Sequence, residues 1–131
     1  MSIKNNLLKN KSKIAVWGTG YIGFSTMVYF SKQGVCCKGY DIDRNKVKKI
    51  NSQKLIIPEL KTWFNFDIRK LVKNKTLSAT NDFYDFLKSD YDVHFIAIPT
   101  EKNGKPYFKI LFETLSNISE LIKKKNKKTT I

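Results

Sequence analysis

The sequence predicts an α/β fold in which a parallel sheet is wound with helices on both faces, and three observations carry that prediction. Apolar strand-like runs alternate with helix-like stretches along the 131 residues, with no internal repeat. One run, Val93 to Ile98, is almost continuously apolar and stops at Pro99, as a strand buried on both faces of a parallel sheet would. The third observation is Gly18-Thr19-Gly20-Tyr21-Ile22-Gly23, a G-x-G-x-x-G run between the apolar Ile14-Ala15-Val16-Trp17 and an apolar-periodic stretch.

In chain order, Lys13 to Trp17 reads as the first strand and Tyr21 to Gln33 as the first helix, with Gly34 as its stop. Val35 to Tyr40 is the second strand. Asp43 then reads as the N-cap of a helix that carries Val47 and Ile50 on one face. Pro58 breaks the pattern before a helical stretch around Phe66 to Val72. Thr76 to Ala79 is the third strand, and Asp82 caps a brief helix holding Phe83, Phe86 and Leu87. After the fourth strand, Val93 to Ile98, the positions Phe108, Leu111, Phe112, Leu115, Ile118 and Ile122 keep helical spacing. Lys123 to Lys125 suit the negative end of that helix. Thr129 to Ile131 reads as the opening of a fifth strand. Right-handed crossovers then give a doubly wound parallel sheet of order 3-2-1-4-5. Residues 1–12 read as a basic N-terminal extension and 13–131 as one domain cut in its fifth strand, the expectation for a piece of a longer protein.

The glycine run has a chemical reading. Gly18 permits the tight turn out of the strand, Gly20 lets the backbone approach a pyrophosphate, and Gly23 lets the helix pack closely on the sheet. The N–H groups of a helix starting near Tyr21 would then face the pyrophosphate, where the helix dipole favours negative charge. Asp41, at the end of the second strand, stands where a carboxylate accepts hydrogen bonds from the adenosine ribose hydroxyls. A 2′-phosphate would meet that carboxylate, so the expected cofactor is NAD on a Rossmann fold.

The formal charge of +14 comes from lysine, with Arg44 and Arg69 the arginines. Base reading relies on bidentate arginine contacts, so a lysine excess points to a solvated surface and to no specific nucleic acid. Cys36 and Cys37 are adjacent in a strand, point to opposite faces and cannot bridge each other, which suits reduced thiols. No apolar run is long enough to span a membrane, and Met1 to Lys13 lacks the apolar core of a secretory signal. These features lead to the expectation of a cytoplasmic protein. His94, alone within an apolar strand, is expected to be a packed, hydrogen-bonded side chain.

The residues resemble the N-terminal domain of the nucleotide-sugar 6-dehydrogenases that act on UDP-glucose, UDP-N-acetylmannosamine and GDP-mannose. The resemblance runs through Lys13 to Gly23, Gly39-Tyr40-Asp41-Ile42-Asp43, Lys46-Val47, Ile50-Asn51 and Ile57-Pro58-Glu59. It continues through Leu77 to Asp82, Ile96-Ala97-Ile98-Pro99-Thr100 and Asn103-Gly104-Lys105-Pro106. It implies an NAD-dependent, two-step oxidation of a sugar-nucleotide C6 alcohol, through the aldehyde, to the carboxylate. It further implies that Asp41 and Lys46 hold the adenosine ribose side of NAD and that Pro99-Thr100 meets the cofactor beyond the fourth strand. A UDP-sugar substrate and a homodimer of the full-length protein are the implied partners. The family's catalytic cysteine, with its lysine and asparagine partners, has no counterpart here, since Cys36 and Cys37 sit inside the second strand. The chain alone is therefore expected to be inactive. Glu101, the Tyr107-Phe108 pair and Lys61 to Phe66 depart from the family's wording. The short length also leaves open a stand-alone, non-catalytic nucleotide-binding module.

Overall fold

The computed structural model describes residues 2–9, 11–54, 61–62, 67–125 and 131. The break at Pro58, the Pro58-Glu59 segment, the helix start at Phe66 and the strand expected from Thr129 lie outside the described residues. Four strands, β1 (Lys13–Trp17), β2 (Cys36–Tyr40), β3 (Leu77–Thr80) and β4 (Val93–Ile96), form one sheet in the order β3-β2-β1-β4. Every pairing is parallel, with Ile14 opposite both Cys37 and Val93, and Cys37 opposite Leu77. This is the 3-2-1-4 part of the predicted order.

Six helices accompany the sheet among the described residues: α1 (Ile3–Leu8), α2 (Tyr21–Lys32), α3 (Arg44–Asn51), α4 (Ile68–Lys73), α5 (Phe83–Lys88) and α6 (Lys109–Lys125). Aspartates start three of them. The Asp43 carboxylate accepts from the Asn45 and Lys46 N–H groups, that of Asp67 from Arg69 N–H, and that of Asp82 from Asp85 N–H. At the other end of α2, Gly34 takes φ +86° and stops the helix.

Alternation along β1 divides the core in two. Ile14 and Val16 point into a cluster with Phe24, Met27 and Val28 of α2, Val47 and Ile50 of α3, and Ile68 and Leu71 of α4. Ala15 and Trp17 point the opposite way, toward Phe86 of α5, Tyr91 and Ile118 of α6. On this second face the Trp17 ring meets Phe86 edge-on at 4.9 Å, and its indole N–H donates to His94 Nδ1 at 3.1 Å. His94 is thus buried and hydrogen-bonded, as its apolar neighbours in sequence suggested.

Ahead of the sheet, Ser2 caps α1 and Leu7 packs against the α2-side core. Two expectations change. The fourth strand ends at Ile96 and leaves Phe95 37 % exposed, since β1 is its one sheet neighbour among the described residues. On α6 the buried line runs through Thr114 and Ile118, while Phe108 and Phe112 are exposed. Helical spacing located the apolar face correctly but could not fix which edge of it the sheet would cover.

Asn51 closes the outer edge at β3. Its side-chain NH2 donates to Ala79 O at 2.8 Å and its carbonyl accepts from Ala79 N–H at 2.9 Å. One amide side chain thereby does what a neighbouring strand would do for that residue. Asn51→Ala removes both bonds and is expected to lower unfolding free energy by about 1–3 kcal/mol. Urea denaturation checks this, and an unchanged midpoint would show the edge to be indifferent to Asn51.

Candidate functional site

The candidate site lies at the carboxyl ends of β1, β2 and β4. β1 leads into Gly18, whose N–H still pairs with Tyr40 O at 2.8 Å, so the turn begins while the chain is anchored to β2. Gly18 has φ +88°, and a Cβ there would lie 2.5 Å from Ala97 O. Only glycine satisfies both demands. A Cβ on Gly23 would lie 1.8 Å from Gly18 O and 3.2 Å from Val16 Cγ1, so the first turn of α2 rests directly on the loop and strand. Gly20 differs from both, because a Cβ there would meet no protein atom within 4 Å. The fold itself makes no demand for glycine at this position.

Gly20 is also the N-cap of α2 and offers no side chain to its first turn. The first N–H groups of a helix have no acceptor within it, and here they carry the positive end of a 12-residue dipole. Tyr21 and Ile22 flank this end and are 43 % and 71 % exposed. The arrangement suits an anionic group resting on backbone donors.

Asp41 ties the site together. It is 8 % exposed, and its Oδ2 accepts from Thr19 N–H at 2.8 Å and from the Thr19 hydroxyl at 2.9 Å. Oδ1 accepts from Asp43 N–H at 2.9 Å. Lys46 Nζ approaches Oδ2 at 3.8 Å from the first turn of α3, where the Asp43 cap fixes its backbone. A carboxylate has about four acceptor positions, so Oδ1 retains capacity for one more donor beside Lys46. Thr19, by contrast, is fully buried and gives both of its donors to Asp41.

Beyond β4 the backbone still follows the ladder, with Ala97 N–H donating to Trp17 O at 2.8 Å. Pro99 and Thr100 are exposed, and Thr100 O accepts from Tyr107 N–H at 2.7 Å. Between them stands a hairpin of β5 (Glu101–Lys102) and β6 (Lys105–Pro106). Asn103 and Gly104 turn it with φ of 55° and 72°, the two positive values of a type I′ turn. The departures at Glu101 and Tyr107 thus fall in this hairpin and at its base. Asn-Gly is a strong hairpin signal, and a two-residue arm on each side is too short to show strand alternation.

The structure therefore brings Gly18, Thr19, Gly20, Tyr21, Ile22, Gly23, Asp41 and Lys46 together, with Pro99 and Thr100 at the next strand's end. Sequence reasoning gave Gly39 no role of its own, yet a Cβ there would lie 2.6 Å from Thr19 Cγ2 and 2.7 Å from Met27 Sδ. Gly39 makes the room in which Thr19 can turn inward to Asp41. The glycine in a strand was the available signal.

Neither cysteine joins this constellation. Cys37 is buried in the α2-side core, where burial pushes its thiol up to about 12 despite a hydrogen bond with Ser31. Cys36 is at the amino end of β2, the far end of the strand from Asp41. Among the described residues no three His, Cys, Asp or Glu side chains are grouped as a metal would require, and no helix is long and apolar enough to cross a membrane.

Residues 12–131 match the UDP-glucose/GDP-mannose dehydrogenase family, NAD binding domain. The chain is 33 % identical over 109 residues to UDP-N-acetyl-D-mannosamine dehydrogenase of Methanococcus aeolicus, a match covering 80 % of this chain and 23 % of that protein. It is also 33 % identical over 98 residues to UDP-glucose 6-dehydrogenase TuaD of Bacillus subtilis, covering 71 % of this chain and 20 % of the relative. Among solved structures, a ternary complex of GDP-mannose dehydrogenase from Pseudomonas aeruginosa superposes with a TM-score of 0.73 at 28 % identity, covering 89 % of this chain and 27 % of the other. The chain thus spans about a quarter of the length of these relatives. With a parallel Rossmann sheet, the glycine loop and a match from residue 12 to 131, the chain belongs to the UDP-glucose/GDP-mannose dehydrogenase family as its NAD-binding domain.

Proposed function

We propose that this chain holds NAD for the oxidation of a UDP-sugar C6 alcohol to the carboxylate, the pyrophosphate resting on the first turn of α2. The observation that carries the reading is the contrast among the glycines. Gly18 and Gly23 are demanded by protein contacts, whereas Gly20 faces open space and is needed only if something from outside comes close. Asp41 accepts a ribose hydroxyl through its remaining Oδ1 position, and Lys46 lies alongside. Thr19 acts through Asp41, so its part in binding is to hold that carboxylate in place. Pro99 and Thr100 border the nicotinamide end, at the carboxyl end of β4 where Rossmann ligands cross the sheet. NAD supplies the hydride acceptor; the residues of this chain bind and orient it.

The two cysteines offer no covalent step. One is buried and held protonated, and the other lies at the wrong end of β2. Binding without turnover is therefore expected of the 131-residue chain, with any sugar-nucleotide contacts and the homodimer belonging to a longer form.

Isothermal titration with NAD tests the reading. Saturable binding is expected, and Asp41→Ala should weaken it roughly 10- to 100-fold, the value of a charge-assisted hydrogen bond of about 1.5–3 kcal/mol. A folded chain with no saturable uptake would refute it.

The glycine contrast makes a separate prediction. Gly20→Ala should melt within about 1 kcal/mol of the parent, because only an N-cap preference is disturbed, and yet lose NAD affinity. Gly23→Ala should cost about 3 kcal/mol or more through overpacking against the Gly18 carbonyl. Paired thermal melts and NAD titrations check both, and equal NAD affinity in Gly20→Ala and the parent would contradict the assignment.

A further inference from the structure

Trp17 is the last residue of β1, and the glycine loop starts from it. Its carbonyl accepts from Ala97 N–H at 2.8 Å. The next residue, Gly18, lies so close to Ala97 O that a Cβ there would stand 2.5 Å away. The backbone that continues β4 is therefore packed against the start of the loop. Among the described residues β4 has β1 as its one sheet neighbour, so the spacing of these two carboxyl ends is set along a single seam.

A side-chain hydrogen bond crosses that seam. Trp17 is 3 % exposed, and a buried indole N–H needs an acceptor. The rings of Phe83 and Phe86 that meet Trp17 edge-on have no such atom, and His94 Nδ1 supplies it at 3.1 Å. In register Trp17 stands opposite Ile96 and Ala15 opposite His94, so the indole reaches back two residues along the seam to its acceptor. The indole and imidazole stack at 6.2 Å, and Tyr91 meets the imidazole edge-on at 5.6 Å. Because an indole nitrogen only donates, Nδ1 carries no proton and the neutral ring keeps its proton on Nε2.

We propose that His94 is a positioning residue for the dinucleotide: through Trp17 it fixes the glycine loop after β1 against the Pro99-Thr100 segment after β4. This rests on the NAD reading above, in which the pyrophosphate meets the loop and the nicotinamide end meets Pro99 and Thr100. A ligand that spans both strand ends gains from having them held at one separation, since its second half then binds as a tethered group. A ligand that reaches only the loop and Asp41 gains nothing from it. His94, 5 % exposed, acts through Trp17 and not on the ligand.

Parallel titrations with NAD and with ADP, which lacks the nicotinamide half, test this. His94→Phe keeps a ring but removes the acceptor, whereas His94→Asn puts an amide oxygen near the place of Nδ1. His94→Phe should weaken NAD about three- to tenfold, the worth of one buried hydrogen bond, and leave ADP within about twofold of the parent. His94→Asn should restore NAD to within about twofold of the parent. His94 is the one histidine of the chain, so nitrogen-15 labelling of histidine reports its ring alone. The Nε2–H form with an unprotonated Nδ1 is expected near neutral pH. If circular dichroism shows His94→Phe to be misfolded, Trp17→Phe/His94→Phe, which strands no buried polar group, gives the same reading.

Unchanged NAD affinity in the variant without the acceptor, or an equal loss of NAD and ADP, would overturn the proposal and leave the NAD reading standing. A folded His94→Asn that binds NAD as weakly as His94→Phe, or a proton found on Nδ1, would do the same. A folded parent that takes up no NAD would refute the NAD reading itself, and this proposal with it.

Discussion

The Asp41 carboxylate is the constraint on which the site depends. It sits at the end of β2, yet its Oδ2 is occupied by the backbone and hydroxyl of Thr19, in the loop that leaves β1. Its Oδ1 holds Asp43 N–H, and Asp43 in turn caps α3. One buried acid therefore sets the position of the glycine loop relative to both strands and to the helix that brings Lys46. Without it, Gly18 would still be anchored to Tyr40 O, but Thr19 would lose the acceptor for both its backbone N–H and its hydroxyl. A charge-assisted hydrogen bond is roughly twice as strong as a neutral one, which makes an acid a better clamp here than an amide.

The division of labour among the glycines follows from the same geometry. Gly23 brings α2 down onto the Gly18 carbonyl, and Gly39 clears the space into which Thr19 turns. These residues serve packing. Gly20, within the G-x-G-x-x-G run, stands clear of the protein at the start of a helix whose dipole is unopposed by any acidic residue in its first turn. The aromatic group below, with Trp17 bonded to His94 and packed on Phe86, supports the end of β1 from the other side.

The 3-2-1-4 part of the sheet, the caps at Asp43 and Asp82 and the stop at Gly34 were legible in sequence because each has a local signal. A buried parallel strand must be apolar, a cap needs a short acceptor, and a left-handed residue favours glycine. The approach of Asp41 to the glycine run was legible as well, from the fingerprint spacing. The direction of Thr19 was not, since an inward hydroxyl depends on the gap at Gly39, one strand away. Nor was the role of Asn51, whose partner Ala79 is far along the chain. The exposure of Phe108 and Phe112 escaped for a related reason: helical period gives a face, and tertiary contact decides its edges.

On the proposed reading, Asp41 serves the loop and the cofactor ribose together. Titrating the chain with NADP in parallel with NAD tests this most directly, because the two differ only by a phosphate at the ribose 2′ position. The account predicts clearly weaker binding of NADP, since that phosphate would meet the Asp41 carboxylate despite Lys46 nearby. NADP binding as tight as NAD, or tighter, would contradict it and would mean that Lys46, rather than Asp41, faces the ribose.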